Sequence, residues 1–154
     1  MDIIPAVMSG GAGSRLWPVS TAALPKQFHR LLSDKPMIVE TVERFRGASD
    51  GCSFLPPIVV AGAGHREIIA GQFAEAGVRP LATILEPVGR NTAAAAAAAA
   101  LVAQEKAPGA TVLLLPSDHV IADSAAFRAA IGLAREHVEQ SIITFGISPH
   151  EPKT

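Results

Sequence analysis

At 154 residues, with 49% hydrophobic and 18% charged side chains, the chain has the composition of one globular domain with a well-buried α/β core. A net charge of −1 excludes nucleic-acid binding through a broad basic face, so a phosphate ligand must be held locally. A lone Cys52 excludes an internal disulfide and the Met1-Asp2 start lacks the basic flank of a signal peptide, which together point to a reducing cytoplasm.

The apolar run Ile3 to Met8 reads as a buried strand. It opens into Ser9-Gly10-Gly11-Ala12-Gly13-Ser14-Arg15, where Gly10, Gly11 and Gly13 let the backbone turn tightly and bring N–H groups close to a ligand. Arg15 adds a planar fork of donors suited to phosphate oxygens. This is not a Walker loop, because Gly13 is followed by Ser14-Arg15 rather than Lys-Ser/Thr. Nor is it a dinucleotide fingerprint, which needs glycine where Leu16 stands. A plain glycine-rich turn is the competing reading. Trp17, before Pro18, reads as a hydrophobic brace under the loop.

Residues 19–34 read as an extended excursion across the sheet edge, carrying Lys26 beside Pro25; the bland reading of Lys26 is a solvated lysine. Pro36 suits the first turn of a helix with Ile38, Val42 and Phe45 on one face, ending by Gly47. Residues 48–57 read as loop. A strand at 58–61 and a helix at 65–76 with Ile69, Phe73 and Ala76 inward follow, stopped by Gly77. A strand over 82–85 leads into Glu86-Pro87-Val88-Gly89-Arg90-Asn91-Thr92. The alanine run 93–100 predicts a helix capped by Asn91 or Thr92, and Gln104 to Lys106 argue against its spanning a membrane. A strand over 111–115 precedes Asp118. Ser124 then caps a helix through Phe127, Ile131, Ala134 and Val138, and a last strand is predicted over 142–147.

Alternating strands and helices predict a Rossmann-like, doubly wound, mostly parallel sheet within a single domain over residues 1–154. The loops after Met8, Leu85 and Leu115 then meet at one rim, because ligands of open parallel sheets bind outside the carboxyl ends of the strands. Asp118 offers a hard oxygen for Mg²⁺ beside bound phosphates, or simply caps a turn. His119 reads as holding its loop, and His29, His65, His137 and His150 as surface or loop residues; no Cys/His cluster suggests zinc.

Gly-Gly-x-Gly-x-Arg-Leu-Trp-Pro followed by Pro25-Lys26-Gln27-Phe28 resembles the sugar nucleotidyltransferases, and more closely the bacterial mannose-1-phosphate guanylyltransferases, often fused to a mannose-6-phosphate isomerase domain. The Glu86-to-Ala93 segment and Leu115-Pro116-Ser117-Asp118-His119-Val120-Ile121 match that family in the same order. The resemblance implies transfer of GMP from GTP to mannose 1-phosphate in GDP-mannose and polysaccharide biosynthesis, with Mg²⁺ as cofactor. It implies Arg15 and Lys26 as catalytic residues, Asp118 as metal ligand, and Ser9, Gly10, Gly11, Gly13, Glu86, Asn91 and Thr92 as nucleotide-binding residues. Alternatives are another base or sugar on the same fold, or a nucleotide-binding piece without turnover. Relatives continue beyond Thr154 into a Gly-Tyr-Gly-Tyr segment and the sugar-binding half, so a nucleotide-binding N-terminal portion is expected. No nucleic-acid or membrane partner is expected, whereas an uncovered apolar edge would favour self-association into a homo-oligomer.

Overall fold

Ile3 through Val7 are all buried, with no polar alternation, because this strand is covered on both faces and hydrogen-bonded along both edges. The computed structural model describes residues 1–11, 16–46 and 51–146. The strand is β1 (Asp2–Ser9), at the centre of a five-stranded parallel sheet completed by β2 (Ser53–Phe54), β3 (Ile58–Gly62), β4 (Ala82–Glu86) and β5 (Thr111–Pro116). One edge of β1 carries β5; the other carries first β2 and then β3, and β4 lies beyond β3.

The short β2 falls inside the expected 48–57 loop. Two residues carry too little pattern to be read from sequence. Ile3 pairs with Phe54 but Ala6 with Ile58, so the β2–β3 side holds one residue more than β1. Leu55 N–H donates to Ile3 O at 2.8 Å, and by alternation Pro5, which has no N–H, faces the same edge where the ladder is interrupted. The central proline thus leaves no ladder hydrogen bond broken.

Odd-numbered Ile3 and Val7 join Val59, Ala61 and Leu115 beneath α1 (Met37–Glu43), α2 (Arg66–Glu75) and α4 (Ser124–Ala134). Ile4 and Ala6 join Ile58 and Val60 beneath α3 (Asn91–Lys106), whose Ala95, Ala99 and Ala103 face them. Alanines at this spacing bring the α3 backbone close to the sheet, and the chain returns from β4 at one edge to β5 beyond β1. That reversal falls at the carboxyl ends of β1 and β5, where open parallel sheets hold their ligands.

Four local expectations are corrected. The cap of α4 is Asp123, not Ser124: Asp123 Oδ1 accepts from Ala126 N–H at 2.8 Å, its negative charge suiting the orphan amides of the first turn. Asp123→Ala should therefore cost about 0.5–2 kcal/mol in chemical denaturation, whereas Ser124→Ala should cost little. Arg90, with no side-chain cap hydrogen bond, precedes α3, and Asn91 begins that helix at a positive φ of 65°. Residues 141–146 form no strand: Ile142 lies in solvent, and Phe145 meets the Phe127 ring edge-on at 5.9 Å rather than pairing with β5. The α4 helix also stops at Ala134, short of Val138.

Candidate active site

The carboxyl ends of β1 and β5 gather residues from three separate stretches of chain. At the end of β1, buried Ser9 accepts a hydrogen bond from Gln27 Nε2 at 3.1 Å. Beyond β5, Ser117 N–H donates to Met8 O at 3.1 Å, extending the ladder one step and fixing where Asp118 emerges. Lys26 reaches across from a single 3-10 turn, Lys26–Phe28, placing Nζ 3.3 Å from Asp118 O and 3.8 Å from Asp118 Oδ2. Both side chains remain partly exposed, at 30% and 47%, so the pair faces solvent and an incoming ligand can reach either. Lys26 is thus directed at Asp118 while its side chain remains open to solvent.

Gly10 and Gly11 leave β1 beside this pair, and Gly11 takes a φ of +90°, a conformation that favours glycine. Gly13 and Arg15 lie outside the described residues. Glu86 ends β4, two strand positions from β1 and thus roughly 10 Å away laterally. Exposed Asn91 and Thr92 open α3 on the same rim. Among the described residues, no hydrogen bond or ion pair joins Glu86, Asn91 or Thr92 to Ser9, Lys26 or Asp118. The rim therefore has two parts, a cationic and acidic pair at β1/β5 and a separate edge at β4/α3.

Behind Asp118, Arg44 Nη2 donates to His119 O at 2.6 Å, and Arg128 Nη1 donates to Arg44 O at 3.0 Å. Burial pushes the Arg44 guanidinium below its usual range, with Glu40 opposing the shift. These arginines line a cleft of about 550 Å³ between α1, α4 and the loop after Asp118, and they brace that loop through its backbone. The loop is held at His119 by its carbonyl, through a residue that no local pattern could reveal.

One other side chain behaves differently from expectation. Trp17 is 77% exposed and so does not brace the glycine loop from beneath. His29 and His65, which lie in loop and turn segments, each make a hydrogen bond there: Nε2 of His29 donates to Leu24 O at 3.0 Å, and Nε2 of His65 donates to Ala22 O at 3.2 Å. Gln27 joins the site through its buried side chain, only 2% exposed, a contact that its position between Lys26 and Phe28 does not reveal. Among the described residues no cluster of three or more His, Cys, Asp or Glu side chains is placed to hold a metal by itself. No described helix is long and apolar enough to cross a membrane.

A parallel sheet with a glycine turn, a lysine and an aspartate at its reversal point is the arrangement of an open α/β protein whose ligand site lies at the carboxyl ends of its strands. The nucleotidyl transferase family matches residues 4–154, and the chain belongs to that family. It is 46% identical over 154 residues to the xanthan biosynthesis protein XanB of Xanthomonas campestris pv. campestris, covering 99% of this chain and 32% of that protein. It is 44% identical over 155 residues to mannose-1-phosphate guanylyltransferase of Escherichia coli, with the same 99% and 32% coverage. A crystal structure of mannose-1-phosphate geranyltransferase from Thermus thermophilus aligns with a TM-score of 0.71 at 31% identity, covering 91% of this chain and 39% of that one. The chain thus spans 32% of the length of these curated relatives.

Proposed function

We propose that the chain carries the nucleotide-binding half of a transfer of GMP from GTP to mannose 1-phosphate, giving GDP-mannose and pyrophosphate, a precursor step for polysaccharides. The observation that carries this reading is the meeting of Lys26 and Asp118 beside the Ser9–Gly11 turn, at 3.8 Å between charged groups. The relative named mannose-1-phosphate guanylyltransferase supports the choice of substrates.

In this reading an oxygen of the sugar phosphate attacks the α-phosphorus of GTP, a new P–O bond forms, and the α–β anhydride bond breaks to release pyrophosphate. The nucleophile is already anionic, so no strong protein base is required; the work is positioning and charge neutralisation. Backbone N–H groups of Ser9, Gly10, Gly11 and Gly13 cradle the phosphates, with Arg15 on the triphosphate tail. Lys26 neutralises charge building at the phosphorus. Glu86 accepts from the paired N–H donors of guanine, and Asn91 and Thr92 bound that edge of the pocket.

A divalent ion fits here only in part on protein ligands: Asp118 supplies one exposed carboxylate oxygen, and Mg²⁺ characteristically completes its shell with phosphate oxygens and water. When bound, Mg²⁺ would supply Lewis-acid stabilisation of the phosphate oxygens. Asp118 would hold it, and Lys26, released from Asp118, would turn to the phosphates.

The test is release of pyrophosphate from GTP plus mannose 1-phosphate with Mg²⁺, alongside thermal shifts with GTP, ATP, UTP and dTTP. GTP should raise the melting temperature most, by the mass action of binding to the folded state. Asp118→Asn, which keeps shape and removes charge, should abolish the Mg²⁺-dependent part of that shift. Equal shifts for all four nucleotides would remove the guanine assignment. Stabilisation by GTP without pyrophosphate release would leave nucleotide binding alone. No shift with any nucleotide would overturn the reading.

A further inference from the structure

The segment bearing Lys26 is irregular apart from one 3-10 turn, yet its backbone is anchored on both sides of the lysine. Upstream, Ala22 O accepts from Nε2 of His65, which sits in the turn Ala63–His65 directly after β3. Downstream, Phe28 O accepts from Nε2 of Gln72 on α2 at 2.9 Å. The Phe28 ring lies 5.2 Å from the His65 ring, so the two anchors share one apolar floor. Gln27 meanwhile ties the turn itself to Ser9. Both anchors grip main-chain carbonyls, which fixes the path of the backbone whatever side chains the loop presents.

A second observation sets these two residues apart. The remaining polar atom of each, His65 Nδ1 and Gln72 Oε1, is buried with no hydrogen-bond partner among the described residues. Such orphaned atoms are uncommon in folded proteins, because each loses its hydration without replacement. An apolar side chain would fill either place without that penalty. Two orphans on the two residues that hold one loop mark both side chains as kept for the N–H they direct at it.

We propose that His65 and Gln72 are positioning residues for Lys26: they set where its ammonium stands relative to Asp118 and to the nucleotide phosphates. This rests on the nucleotidyl transfer reading of Lys26. Neither residue is in contact with the ammonium group; both act through the backbone of residues 22–28. The leverage is geometric, since displacing a reacting or charge-stabilising group by ~1 Å costs about a hundredfold in rate.

The experiment uses the full chain with His65→Ala, His65→Gln and Gln72→Leu, each alone and combined with Lys26→Ala. Amide hydrogen exchange without ligand reads the anchors, and calorimetric titration with GTP and Mg²⁺ reads their consequence. Exchange over residues 20–29 should quicken about tenfold or more in His65→Ala and Gln72→Leu while β1 and β3 keep their protection. In the same variants the GTP dissociation constant should rise about tenfold, and His65→Gln, which retains an N–H at similar reach, should restore both. Added to Lys26→Ala, neither change should weaken GTP binding further by more than about twofold, because residues acting through one group are not additive. A full loss in that background shows a role in general stability and overturns the proposal. So does unchanged exchange, or quickened exchange with unchanged GTP affinity. Failure of the unaltered chain to bind GTP removes the nucleotide reading and the positioning role together, and is distinguished from failure of the anchors alone by the wild-type titration.

Discussion

Gly11→Val should abolish GTP binding and lower folding stability by about 1–3 kcal/mol, the cost of holding a non-glycine residue in a sparsely allowed conformation. The φ of +90° at Gly11 is the source of the stability loss, because among the described residues, its chain neighbours aside, a Cβ there meets no atom within 4 Å. The same open space is what a phosphate cradle needs, and a branched side chain would occupy it. Gly10 separates the two effects: its Cβ would also meet nothing within 4 Å among the described residues beyond its chain neighbours, and its backbone is not in the left-handed region. Gly10→Ala should therefore melt like the unaltered chain yet bind GTP more weakly, as seen by calorimetry. A folded Gly11→Val protein with undiminished GTP affinity would remove this turn from the site.

The second large effect is expected at Ala99, which is 0% exposed and packed against Ile4, Ala6, Ile58 and Val60. Ala99→Leu forces added carbon atoms between α3 and the sheet and should cost about 1–3 kcal/mol in urea denaturation. The helix would be pushed outward, carrying Asn91 and Thr92 with it, so any preference for GTP over other nucleotides should fall more than overall nucleotide affinity. Ala97→Leu, on the exposed face, is the control and should stay within about 0.5 kcal/mol. Equal stability of the two variants would mean that α3 is not closely seated.

The main elements were legible because burial on both sides of a parallel sheet leaves a simple trace: unbroken apolar runs at Ile3–Val7 and Ile58–Ala61, separated by helical faces and closed by glycine or proline. Ile38, Val42 and Phe45 are buried as their spacing indicates. Legibility failed where structure depends on a distant partner. Residues 142–146 have strand composition, but a strand exists only through its ladder, and Phe145 lies against Phe127 instead. Asp123 and Ser124 are both good caps, and only the local backbone decides between them. In the site, the rim position of Asp118 followed from topology. Its approach to Lys26, the burial of Gln27 against Ser9, and the anchoring of Ala22 by His65 did not, because these contacts join residues far apart in sequence that no local periodicity relates. Trp17 shows the converse: an aromatic residue beside the glycine turn suggested burial, yet the ring stands in solvent.

The central place of β1 has a consequence for synthesis on the ribosome. The strand emerges first, but its two edges are completed by residues 53–62 and 111–116, and all these pairings are parallel. At about 5–20 residues per second, roughly a hundred residues must follow before the β5 edge is closed, a delay on the order of 5–20 s. During that interval Ile3, Ile4 and Val7, fully buried in the finished sheet, belong to a nascent chain with an open strand edge, the kind of segment that chaperones engage and that seeds aggregation. The central strand of the finished sheet is therefore the one that waits longest for its partner.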